Sequence, residues 1–81
     1  MKPETTEHSV CVQGGLEIGT VKRVGTHWVA YYRRWTLQSE DRIRAVRWVY
    51  AKHYFPDKTL NELEPYMGGE RSIPGVEVSE L

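Results

Sequence analysis

The sequence predicts a single α+β domain: a three-stranded antiparallel β-meander packed against one main α-helix, with a short second helix and an acidic C-terminal tail. Three observations carry this. Two glycine-bearing turns divide the first 36 residues into strand-like runs, a stripe of apolar residues at helical spacing follows, and a segment rich in Gly, Pro and Glu closes the chain. Apolar residues make up 40% of the 81, too many for a disordered chain and enough for one core of modest size.

Gly14-Gly15 separate Ser9-Val10-Cys11-Val12-Gln13 from Leu16-Glu17-Ile18, and Gly25-Thr26 separate Val21-Lys22-Arg23-Val24 from the run that begins at His27. Gly-Gly suits a type I′ hairpin loop, and Gly at the first central position suits type II′. The flanks are rich in Val, Ile, Tyr, Trp and Thr, which favour a pleated, half-buried surface. Strands are therefore predicted over 8–13, 16–24 and 27–36. Two-residue loops would set Gln13 opposite Leu16, Cys11 opposite Ile18 and Lys22 opposite Val29. Alternation then collects Cys11, Leu16, Ile18, Thr20, Val24, Val29, Tyr31 and Trp35 on one face, with Lys22, His27 and Arg33. That face holds more aliphatic bulk and is predicted to be the core. The other face, with His8, Val10, Val12, Glu17, Gly19, Val21, Arg23, Trp28, Ala30, Tyr32 and Arg34, is left for solvent or a partner.

A helix is predicted over 40–54, with Ser39 as its cap and Glu40 and Asp41 in the first turn, where the helix dipole favours negative charge. Ile43, Val46, Val49, Tyr50, His53 and Tyr54 form the stripe expected to cover the sheet. Pro56 ends the helix. Its rear carries Arg44, Trp48 and Lys52, and an indole there needs cover. The cover is either Leu60, Leu63, Tyr66 and Met67 folding back, or a partner meeting Arg44, Trp48 and Lys52. A second helix over 60–64, capped by Asp57 or Thr59, would be closed by Pro65 and then Gly68-Gly69. The domain is thus 1–67, and 68–81 reads as a flexible or extended acidic tail.

Several classes of function find no support. No apolar run approaches the ~20 residues that span a bilayer, and the N-terminus lacks the apolar stretch of a secretory signal. The single Cys11 can form no internal disulfide, which points to a reducing, cytoplasmic setting, and mid-strand it reads as a small buried apolar residue. His8, His27 and His53 lie on different elements, so no metal site is expected. The Gly-Gly pairs lack the lysine of a phosphate loop. The expectation is a protein that is not an enzyme and takes no cofactor.

The net charge of zero hides an uneven distribution. Residues 22–52 carry eight basic residues against Glu40 and Asp41, a net of +6, while 54–81 carry −4 and 1–21 carry −2. A basic body interleaved with Trp28, Tyr32, Trp35 and Trp48 offers charges for phosphates and flat groups for bases. This favours binding of nucleic acid, duplex DNA above all, by a small accessory or regulatory protein.

Residues Gly19-Thr20-Val21-Lys22-Arg23-Val24-Gly25-Thr26-His27-Trp28-Val29-Ala30-Tyr31-Tyr32-Arg33-Arg34 resemble the start of AP2-type and phage-integrase arm-binding domains. Those often read Gly-x-x-x-Lys/Arg-x-x-Gly-x-Trp-x-Ala-x-x-Arg, in a three-stranded sheet followed by a helix. The resemblance implies a sheet docked in the DNA major groove, with Lys22, Arg23, Trp28, Tyr32 and Arg34 as contacts. The chain departs from the family in placing a strand before Gly14, where members usually place one after the Trp-bearing strand. Two other readings stay open: an inhibitor or adaptor that binds a protein target through surface aromatics and the acidic tail, and a homo-oligomer joined at the Trp48 face or a strand edge.

Overall fold

The computed structural model, which describes residues 7–12 and 14–73, joins four strands and two helices in an α+β fold. The order is β1 (Glu7–Cys11), β2 (Glu17–Val24), β3 (His27–Tyr32), β4 (Trp35–Ser39), α1 (Arg42–Tyr54) and α2 (Leu60–Met67). The strands form one antiparallel sheet in sequence order.

The fourth strand corrects the predicted three. Residues 27–36 do not run as one strand: Tyr32 pairs with Trp35 across a two-residue loop in which Arg33 takes φ 53°. Positive φ at the first central position of such a loop is ordinarily glycine's, and a side chain there costs about 1–2 kcal/mol. No Gly or Asn marks this turn, so an uninterrupted strand was the natural reading. The Gly25 turn is as predicted, with φ 63° and Val24 opposite His27. In the first hairpin the predicted register holds from Val10 outward, where Val10 faces Gly19 and Ser9 faces Thr20. A bulge at Ile18 then puts Cys11 opposite Glu17 instead of Ile18. Of the predicted Gln13–Leu16 pair, Gln13 lies outside the described residues. The Tyr50 hydroxyl donates to the Cys11 carbonyl, tying α1 to the bulge.

The two sheet faces are exchanged relative to the prediction. Val10, Val21, Ala30 and Tyr32 are buried against α1, whereas Leu16, Val24 and Tyr31 are exposed. Close approach decides this, not aliphatic bulk. A Cβ at Gly19 would stand 2.7 Å from Val49 Cγ1 and 2.5 Å from the Tyr31 carbonyl oxygen. The helix therefore sits where the sheet offers Gly19 and Ala30, and its own Ala45, Val46 and Val49 are buried in return. Cys11, predicted to be buried, is exposed.

α1 touches all four strands on one side and α2 on the other, while α2 packs on α1 and not on the sheet. This three-layer order buries α1 on two faces. Ile43 and Tyr54 of the predicted stripe are exposed, whereas Trp48 is 4% exposed and shares the buried cluster of Leu63 and Met67. Asp41, not Ser39, caps α1: its carboxylate accepts from Ile43 N–H at 2.9 Å, and Ser39 is held in β4. No acid lies in the first turn of α1. α2 begins with a capping box, Thr59 with Glu62, and continues through Pro65 to Met67, three residues beyond the predicted end. The predicted tail also begins later than expected, because Ile73 belongs to the core and Arg71 N–H donates to the Pro65 carbonyl at 3.0 Å. Residues 74–81, the rest of that tail, lie outside the described residues.

The contact at Gly19 gives a direct prediction. Gly19→Ala forces a shift of backbone on one side and Val49 on the other, and should lower stability by about 1–3 kcal/mol in urea unfolding. A wild-type midpoint in that variant would show that α1 does not approach so closely.

Candidate nucleic-acid interface

Pleating places the side chains of β2, β3 and β4 that point away from α1 in cross-strand rows. Thr20, Tyr31 and Thr36 make one row, Lys22, Val29 and Gln38 the next, and Val24 and His27 the last. Among the described residues nothing packs on this face. Its rows are exposed apart from the half-buried Thr20 and from Val29, which is 8% exposed between Lys22 and Gln38. The segment from Ile18 to Ser39 contains Lys22, Arg23, Arg33 and Arg34 and no acid. The acids of the sheet are Glu7 of β1, opposite Lys22, and Glu17 at the start of β2, opposite Cys11.

The structure does not gather the five residues that the resemblance implied. Lys22 stands on the open face. Trp28 is half-buried on the helix side, tilted against His8 with ring centroids 5.8 Å apart and the Arg42 guanidinium over its ring. Tyr32 is buried in the core. Arg23 is exposed beside the β2–β3 turn, its Nε donating to the Gly25 carbonyl at 3.2 Å. Arg34 lies in the β3–β4 turn, with its guanidinium 5.0 Å from the Trp35 ring centre. The open face instead presents Tyr31 and His27, expected on the core face, together with Thr36 and Gln38. Pairing small residues Gly19 and Ala30 on one face was the signal that could have found them.

The predicted partner patch of Arg44, Trp48 and Lys52 is likewise divided. Trp48 is in the core, so it offers no docking surface. Arg44 donates to the Glu64 carboxylate of α2, and Lys52 stands 4.7 Å from the Trp35 ring centre. Trp35, Arg33 and His53 were not among the predicted site residues. Yet they line a cleft of about 310 Å³ with Tyr32 and Pro56, at the end of the sheet nearest the α1 C-terminus. There Arg33 Nε donates to the Tyr32 hydroxyl at 3.3 Å, and that hydroxyl lies 3.2 Å from His53 Nδ1.

Among the described residues no three His, Cys, Asp or Glu side chains are grouped to hold a metal, and no helix is long and apolar enough to cross a membrane. Comparison of the chain with family models, curated proteins and solved structures gives no match in any of the three.

The electrostatics of α2 can be tested through pH. The Arg44 guanidinium hydrogen-bonded to Glu64 holds that carboxyl below the ordinary carboxylate range, and the Thr59 backbone N–H does the same for Glu62. A carboxyl depressed in the folded state stabilises fully above its unfolded pKa of about 4.3, and that stabilisation is lost as pH falls toward the folded value. The urea midpoint should thus hold from neutrality to about pH 5 as far as these two groups are concerned, and decline below pH ~4. Glu64→Gln should flatten part of the decline while costing no more than about 1 kcal/mol at pH 7, since the pair is partly open to solvent. An unchanged acid slope would remove the pair from the account.

Proposed function

We propose that the chain binds duplex nucleic acid with the open face of β2, β3 and β4. The observation that carries this is the acid-free strip from Ile18 to Ser39, whose open face is lined by hydrogen-bonding side chains, with Arg23 beside one turn and Arg33 and Arg34 in the other. Adjacent strands lie about 4.8 Å apart, so three span about 10 Å between outer axes, within a major groove about 12 Å wide. Gln38 suits an adenine edge, Lys22 a guanine edge or a phosphate, and Thr20, Thr36 and Tyr31 supply hydroxyls. Arg23 at one end of the strip and Arg33 and Arg34 at the other stand where phosphates would flank it. The order β2-β3-β4-α1 is also the strand and helix order that the resemblance implies, with β1 added in front.

β1 belongs outside the groove in this reading, because its Glu7, like Glu17 at the first position of β2, would repel phosphates. A protein target meeting Val24, Val29 and Tyr31 is the reading that remains if nucleic acid fails.

Titration of a mixed-sequence duplex over a range of salt tests the proposal. Affinity should fall with a log–log slope near −0.9 per phosphate contact. Lys22→Ala should reduce that slope by about one if it touches phosphate, Gln38→Ala should cost about 1–3 kcal/mol on a preferred sequence, and Glu17→Gln should tighten binding. Absence of binding at high micromolar protein in low salt would overturn the proposal.

A further inference from the structure

We propose that the cleft between the β3–β4 turn and the C-terminal end of α1 is a nucleotide site, taking a phosphate on its cations and a base against Trp35. The cleft, about 310 Å³, is lined by Tyr32, Arg33, Trp35, His53 and Pro56, at the small end of ligand cavities. A second recess of about 390 Å³, lined by Arg33, Arg34 and Trp35, adjoins it through shared walls.

Three features make this more than a dent in the surface. The first is uncompensated charge. Arg34 and Lys52 stand 5.0 and 4.7 Å from the Trp35 ring centre, and Arg33 stands 5.7 Å from that of Tyr32. None of these three forms an ion pair among the described residues, and no acid lines either recess. Cations held over aromatic faces without a carboxylate are attractive to a phosphate, which guanidinium groups meet with paired N–H donors.

The second is a fixed wall. Tyr32 and Trp35 lie nearly parallel, 11° apart with centroids at 6.2 Å, and Tyr32 is held by Arg33 and His53 through its hydroxyl. Trp35 is half-buried and packed on the core, so its ring is positioned before any ligand arrives. A base stacks on such a surface whatever its identity.

The third is the backbone. Arg33 holds φ 53°, where Gly would fit without strain. Strain of this kind persists where the side chain serves a purpose, and here it directs a guanidinium to the cleft wall. The site shares no residue with the cross-strand rows of the open sheet face, and only Arg33 and Arg34 with the arginines at the ends of that face. Only the choice of a nucleotide over other flat anions rests on the nucleic-acid reading.

The test is a titration of the isotope-labelled full chain with adenosine 5′-monophosphate, adenosine and inorganic phosphate, followed at the Trp35 indole N–H and the Arg33 and Arg34 amides. A blunt duplex and a duplex with a 5′-phosphorylated single-stranded overhang complete the set. The nucleotide should shift these resonances at submillimolar to millimolar concentration, and adenosine or phosphate alone should bind about tenfold more weakly. Arg33→Gly and Lys52→Gln should each weaken nucleotide binding about tenfold, with Arg33→Gly unfolding no more easily than the parent. An overhang that binds more tightly than the mononucleotide identifies the ligand as a strand end, and equal affinity identifies it as a free nucleotide. If neither nucleotide nor overhang moves these resonances up to millimolar, or if both variants bind as the parent does, the site is overturned. The blunt duplex reports on the sheet reading alone, through shifts at Tyr31 and Gln38, while the response of the Trp35 indole to the mononucleotide and the overhang decides this one.

Discussion

Everything in this fold depends on how closely α1 can approach the sheet at Gly19. A side chain there would collide with Val49 and with the Tyr31 carbonyl, so the absence of one sets the depth of the helix. Val21, Ala30, Ala45 and Val49, all essentially without exposure, close the space around that point. Interiors pack to crystal-like density, and a helix gains most where the facing surface is smooth enough to be met along its length. Smoothness, more than the size of the apolar residues, therefore chose the buried face of the sheet. By exclusion it also chose the open one.

The same contact shapes the rest of the chain. With α1 committed to the sheet through Val46 and Val49, Trp48 is buried in one cluster with Leu63 and Met67 of α2, which packs on α1. The loss of that packing would expose an indole whose removal from a core typically costs about 3–5 kcal/mol, a large part of the stability of so small a domain. Ile73 extends the same cluster, so the chain beyond α2 is structural up to that residue. Charge follows the layers: Glu62 and Glu64 lie on α2, and the basic residues of the strip lie on the sheet and its turns.

Element types were legible in the sequence, and so were the Gly25 turn, the presence of two helices and the need to cover Trp48, which residues 60–67 or a partner could have met. Each of these has a local marker: a glycine between strand-forming runs, a capping residue, or an indole out of place on a polar flank. The turn at Arg33-Arg34 has no such marker, since the strain is carried by a residue type that rarely adopts it. Its omission merged two strands into one. The exchange of faces has a different origin. Hydrophobic counting treats Leu16, Val24 and Tyr31 as core material and Gly19 as neutral, whereas a helix docking on a sheet needs small residues at the point of contact. The candidate contacts changed with the face: Trp28 and Tyr32 turned inward, and Tyr31, Thr36 and Gln38 replaced them.

The sheet face turned away from α1 is open, and it is the surface proposed to meet nucleic acid. The most direct measurement is relaxation of side-chain protons by a soluble paramagnetic agent, recorded on the free chain and at saturation with duplex DNA. Strong relaxation is expected at Lys22, Tyr31, Thr36 and Gln38 in the free chain, little at Val21, Ala30, Tyr32 and Trp48, and loss of the effect at the first group when duplex is added. Relaxation at Val21 and Ala30 in the free chain, or undiminished relaxation at Lys22, Tyr31 and Gln38 with duplex present, would contradict it.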